Sequence, residues 1–142
     1  MYGVLETCLY ASDLDATAAF YEDLIGLAVY SREAGRHVFF RCGEAMLLLF
    51  DPARTSVQDA GVPAHGARGA GHVCFAVADD AMDAWIVKLT AAGIRIEHEQ
   101  SWPRGGRSIY VRDPAGNSVE LASPRIWGLR DTIDDQDSGP GG

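Results

Sequence analysis

"HVCFAVAD", His72 to Asp79, alternates with a period of two: Val73, Phe75 and Val77 fall on one side of an extended strand, and His72, Cys74 and Ala76 fall on the other. One face is apolar core, while the other is small and carries an imidazole at its head. The same octet is written once before. "ETCLYASD", Glu6 to Asp13, lies over it at a constant offset of 66 residues, with Cys8 matching Cys74 and Asp13 matching Asp79. A repeated unit decides the fold, because each copy then builds the same piece of structure.

Beyond each octet the apolar spacing changes from two to three and four. "LDATAAFYEDLIG" (14–26) spaces Ala18, Tyr21 and Leu24 by three, opens on Asp13 as an N-cap and stops at Gly26. "DDAMDAWIVKLTAAG" (79–93) presents Met82, Trp85, Ile86 and Leu89 on one helical face and stops at Gly93. Three extended runs follow in each copy. The first has "LAVYSR" (27–32), "HVFFRC" (37–42) and "AMLLLF" (45–50), with Gly35 and Gly43 in the turns. The second has "IRIEHE" (94–99), "SIYVRD" (108–113) and "NSVELAS" (117–123), with "DPAGN" as a tight turn through Pro114 and Gly116. The plan is strand, helix and three strands, twice: an α+β domain of two βαβββ repeats, 1–52 and 71–124. Residues 53–70, rich in Gly, Ala and Pro, read as a loop too long for a casual connection. Residues 125–142, with Asp131, Asp134, Asp135 and Asp137 and a Gly/Pro end, read as a disordered acidic tail.

The totals narrow the possible partners. A chain of 142 residues is one ordinary domain with enough length to bury a core. Twenty acidic residues against twelve basic ones, with Lys88 the sole lysine, leave a net charge of −8 that repels nucleic-acid phosphates. No apolar run approaches the ~20 residues of a membrane span. "MYGVLETCLY" shows no basic region followed by an apolar stretch and a cleavage site, so a cytoplasmic location is expected. Cys8, Cys42 and Cys74 have no CxxC spacing and lie in apolar strand-like runs, which reads as three buried free thiols.

The ends of the copies superpose as well. "LLLFDP" and "VELASP" both close on proline, so four equivalent positions hold Glu6, Leu48, His72 and Glu120, three of them potential metal ligands. A buried carboxylate costs several kcal/mol unless it is paired, hydrogen-bonded or metal-bound, and Glu120 sits amid "SVELAS". An arginine, Arg41 or Arg112, is the structural alternative to a metal.

The repeated plan, the "SDLDATAAFYEDLIGL" segment and the closing "YVRDPAGNSVEL" resemble the vicinal-oxygen-chelate superfamily of glyoxalases, extradiol dioxygenases, methylmalonyl-CoA epimerases and fosfomycin- and bleomycin-resistance proteins, over residues 3 to about 124. That resemblance implies curled mixed sheets forming a cup around a divalent metal, with helices outside and the units often supplied by two chains of a homodimer. Carried over by position, the ligand sites fall on Glu6, His72 and Glu120, with Leu48 leaving three ligands rather than four. One imidazole and two carboxylates suit Mn, Fe(II), Ni, Co or Zn without selecting among them. The implied activity is that of a lyase or isomerase polarising a carbonyl of a small organic substrate, with Glu6 moving the proton and Tyr110 as a hydroxyl donor or acid. Tyr10 is a second such hydroxyl, and His65 in the long loop is a further proton carrier. Arg104 and Arg107 in "WPRGGRS" are candidates to clamp an anionic substrate group, and Leu48 and Phe50 to form an apolar wall. His37 and His98 read as ordinary surface or core residues. A metal-free ligand-sequestering protein of bleomycin-resistance type, a ring-cleaving dioxygenase and a fosfomycin-type transferase are the alternatives the same resemblance allows.

Overall fold

The computed structural model of the chain describes residues 1–58 and 61–131. It divides into two compact units, one of Met1–Val73 with Arg112–Ser118, the other of Cys74–Val111 with the chain from Val119 onward. Their sheets have the same strand order. In the first, β1 (Glu6–Tyr10), β2 (Ala28–Glu33), β3 (His37–Cys42) and β4 (Ala45–Phe50) run β1-β4-β3-β2; in the second, β5 (His72–Ala76), β6 (His98–Ser101), β7 (Arg107–Arg112) and β8 (Ser118–Ala122) run β5-β8-β7-β6. The α+β plan of two βαβββ repeats is therefore the fold.

In the first unit β1 runs parallel to β4, and β3 is antiparallel to both β4 and β2. The period-two alternation sorts the side chains. Leu9, Val38, Phe40, Leu47 and Leu49 are almost wholly buried on one face, which α1 (Leu14–Ala19) covers by lying on β3 and β4. Asp13 caps α1 through its Oδ1, which accepts from the Ala16 N–H at 3.0 Å. The helix expected over 14–26 is α-helical only to Ala19. Phe20–Ile25 form a π turn in which the Tyr21 carbonyl accepts from both Gly26 and Leu27, and Gly26 at φ +89° ends it.

Tyr21 is the pivot of this unit. Its hydroxyl donates to Asp113 Oδ2 at 2.8 Å, and Asp113 also accepts from the Asn117 backbone N–H and side-chain amide, both at 2.8 Å. Asn117 in turn accepts from Gly71 N–H at 2.8 Å and donates to the Tyr10 carbonyl at 3.2 Å. The "DPAGN" turn is thus the clamp of a buried polar network, in which the Asp113 carboxylate, 4 % exposed, is satisfied by three donors. Burial first, and then the neighbouring Asp113, push the Tyr21 phenol far above its ordinary pKa, so it remains a donor.

In the second unit Phe75, Val77, Ile109, Val111, Val119 and Leu121 form the apolar set, with Met82 and Leu89 of α3 (Met82–Ala91) fully buried. The strand expected over 94–99 begins only at His98. Residues 93–94 close α3 instead: Gly93 takes φ +77° and Ile94 N–H bonds the Leu89 carbonyl. Two segments read as unstructured also acquire order. Pro52–Thr55 form a short helix, α2, capped by Asp51, and Pro124–Trp127 form a 3₁₀ turn whose Arg125 N–H bonds Ser123 Oγ at 3.3 Å. The expected acidic tail beyond Asp131 lies outside the described residues. Among the described residues no helix is long and apolar enough to cross a membrane.

Candidate functional site

Glu120 stands on β8 and is 7 % exposed. Its Oε1 accepts from the Tyr110 hydroxyl at 2.9 Å. Tyr110 shares the face of β7 with Ser108, whose Oγ accepts from Trp102 Nε1 at 2.8 Å. Burial first, then the bond to Glu120, raises the Tyr110 pKa, which keeps the phenol protonated and oriented. Tyr110→Phe removes this donor from a nearly buried carboxylate and is expected to cost about 1–2 kcal/mol of stability, read from thermal melts of the purified variant.

Cys74 faces Glu120 from β5. Part of the residue is open to solvent, but the thiol is set among protein atoms, its S–H toward the Phe75 carbonyl at 4.0 Å and the Glu120 carboxylate beside it; burial first, then the carboxylate, pushes its pKa up to about 12. The expectation of three buried thiols is corrected here: Cys8 and Cys74 are exposed and Cys42 is half-buried. The reason is alternation, since Cys8 follows Glu6, and Cys74 follows His72, on the open rather than the apolar face of the strand. Exposure does not make Cys74 reactive. Relative to its ordinary value the thiolate fraction at pH 8 falls roughly a thousandfold. Timed iodoacetamide labelling with peptide mass analysis should find Cys74 the slowest of the three, and the lag should close as pH approaches 12.

His72, at the head of β5, is exposed, and its Nδ1 lies 3.1 Å from the Ser118 carbonyl. With the proton on Nδ1 this bond makes Nε2 the basic nitrogen, the arrangement usual for a ligating imidazole. Glu6 occupies the exposed head of β1, opposite Met46 of β4. Among the described residues of one chain, no three His, Cys, Asp or Glu side chains come together as a set able to hold a metal ion. His72 and Glu120 stand on neighbouring strands, β5 and β8, and their donor types fit part of a divalent site.

The open face of the first sheet carries the other expected residues. Leu48 lies opposite Cys8 and Phe50 opposite Tyr10, each 7 % exposed. His65 reaches this face from the long loop: its Nδ1 bonds the Tyr10 hydroxyl at 2.8 Å, and its ring meets Phe50 edge-on at 4.8 Å. The loop is held there by the His65 N–H on the Thr55 carbonyl. His37 belongs to the same aromatic group, stacked on Phe39 at 4.0 Å.

The two arginines separate. Arg107 is turned away from Tyr110 by the strand alternation and pairs with Asp83 of α3 at 2.7 Å and with Glu99 at 3.5 Å. These pairs tie β7 to α3 and β6. Arg104 lies exposed at the tip of the 102–106 loop. Sequence reasoning passed over Ser108 and Trp102, and it passed over the segment after β8. There, Ile126, Trp127 and Leu129 border a cavity of about 600 Å³ with Cys74, Ala76 and Ala122. The available signal was three large apolar residues, in "SPRIWGL", directly after the last strand.

The sequence pattern of the Glyoxalase/Bleomycin resistance protein/Dioxygenase superfamily matches residues 3–121, and the chain belongs to that superfamily. Among solved structures it is similar to a lactoylglutathione lyase from Agrobacterium tumefaciens, 48% identical, with a TM-score of 0.89 and coverage of 92% of this chain and 99% of that one. A glyoxalase/bleomycin resistance protein/dioxygenase from Nocardioides is 26% identical, with a TM-score of 0.68 over 87% of this chain and 83% of that one. Among curated proteins it is similar to the glutathione transferase FosA of Serratia marcescens, 28% identical over 116 residues, 80% of this chain and 74% of that protein.

Proposed function

We propose that the protein is a metal-dependent enzyme of the glyoxalase type, a lyase or isomerase acting at a carbonyl of a small organic substrate. Two copies join to complete each site, His72 and Glu120 coming from one and Glu6 from the other. The observation that carries this reading is Glu120: a nearly buried carboxylate held by the Tyr110 hydroxyl, on the strand beside His72. The likeness to a lactoylglutathione lyase over nearly the whole chain supports it.

When bound, a divalent cation would act as a Lewis acid on the substrate oxygens. The protein's own groups do the rest. Glu120 is aimed by the Tyr110 hydroxyl, His72 is turned by the Ser118 carbonyl, and the exposed Glu6 carboxylate takes a proton from the carbon next to the carbonyl and returns it to the neighbouring atom. Leu48 keeps that region apolar. A transferase acting on an electrophile with a thiol is the second reading, favoured by Leu48 at the fourth ligand position and by the likeness to FosA.

The test is solvent-deuterium incorporation, followed by NMR, into S-lactoylglutathione and into small 2-oxo and 2-hydroxy acids with and without added Mn, Ni, Co, Fe(II) or Zn. Metal-dependent exchange at the carbon next to the carbonyl is expected. No exchange with any metal, alongside metal-dependent consumption of glutathione by an epoxide, would replace the first reading by the second.

A further inference from the structure

The cavity in the second unit is built by the chain's C-terminal segment rather than by the strands alone. The 3₁₀ turn over Pro124–Trp127 is seated against the loop that precedes β7, where Gly106 at φ +85° has no room for a side chain: a Cβ there would come within 2.9 Å of Ile126. The turn thus holds Ile126, Trp127 and Leu129 over Ala76 and Ala122, two small residues on β5 and β8, and the space between is about 600 Å³. That is the size of a small-molecule pocket, and its walls are chiefly apolar. Trp127 and Leu129, 79 % and 63 % exposed, leave apolar area that a ligand would cover.

Among the described residues the lining contains one charged side chain, Arg130. In a chain of net charge −8 a cation at the mouth of an apolar cavity selects for an anion, because the rest of the surface repels one. Cys74 also lines the cavity and stands beside Glu120, so the pocket opens next to the carboxylate of the proposed site. We propose that this cavity takes an amphipathic organic acid, its carboxylate on the Arg130 guanidinium and its apolar body between Trp127, Ile126 and Ala122. The inference rests on the proposed function only in making this acid the substrate.

Binding of 4-phenylbutyrate and of 4-phenylbutanol to the full chain, measured by calorimetry in the presence of a chelator, tests the pocket independently of any metal. The acid should bind at least tenfold more tightly than the alcohol. Arg130→Gln should abolish that preference while alcohol binding persists, and Trp127→Ala should weaken both ligands at least fivefold. Both positions are exposed, so the fold should survive each change. Equal binding of acid and alcohol by the wild type, or an unchanged preference in Arg130→Gln, would overturn the proposal. Because the chelator removes metal from the experiment, failure of the carbonyl chemistry would show only in the exchange assay and failure of the pocket only here.

Discussion

Glu120→Gln is expected to lower divalent-metal affinity by at least about 100-fold, with turnover falling in proportion, because an amide oxygen carries no charge for a cation and its N–H₂ presents donors instead. The fold should persist, since glutamine can still accept from Tyr110. His72→Ala should have a comparable effect. The two-copy site can be separated from a site within one chain by mixing. Glu6→Ala and Glu120→Ala chains, each inactive alone, should recover about a quarter of wild-type turnover after unfolding and refolding together, because random pairing leaves one intact site in half of the dimers. If metal content and affinity survive Glu120→Gln, the proposed chemistry fails. If metal binding is lost but mixing restores nothing, Glu6 does not complete the partner's site.

A second large effect belongs to stability rather than chemistry. Asp113→Ala removes the acceptor of three buried donors, the Tyr21 hydroxyl and the two Asn117 nitrogens. Leaving such groups unsatisfied costs about 1–3 kcal/mol each, so a loss of about 3–5 kcal/mol is expected once partial relaxation is allowed. For a chain of this length that lowers the melting temperature by about 10 °C or more. Tyr21→Phe removes one of the three bonds and should cost about 1–2 kcal/mol. Thermal melts of both variants check the order. Equal, small losses would mean that the network is not what holds the "DPAGN" turn.

The two kinds of effect fall on residues of differing legibility. Asp113 and Asn117 are visible in the sequence as a turn, but their partner Tyr21 lies 92 positions away from Asp113. Nothing local distinguishes that tyrosine from its neighbours on the helical face. Arg107 shows the converse. Its loop and charge were apparent, yet the face it takes depends on the register of β7, and a one-residue difference in where the strand begins moves a side chain from the open face to the helix side. Cys8 and Cys74 show a different gap: alternation puts them on the face opposite the apolar core, but how open that face is depends on what packs against it.

By itself the sequence determined the repeat and the order of its main elements, because periodicities of two and 3.6 and the glycine and proline stops are properties of the local chain. It also determined family membership, through residues spread over 3–121. The tertiary structure alone decided that Tyr110 serves Glu120, that His65 returns to Tyr10, and that the segment after β8 walls a cavity. These are contacts between positions far apart in the chain, set by packing and hydrogen-bond satisfaction, which no local pattern encodes.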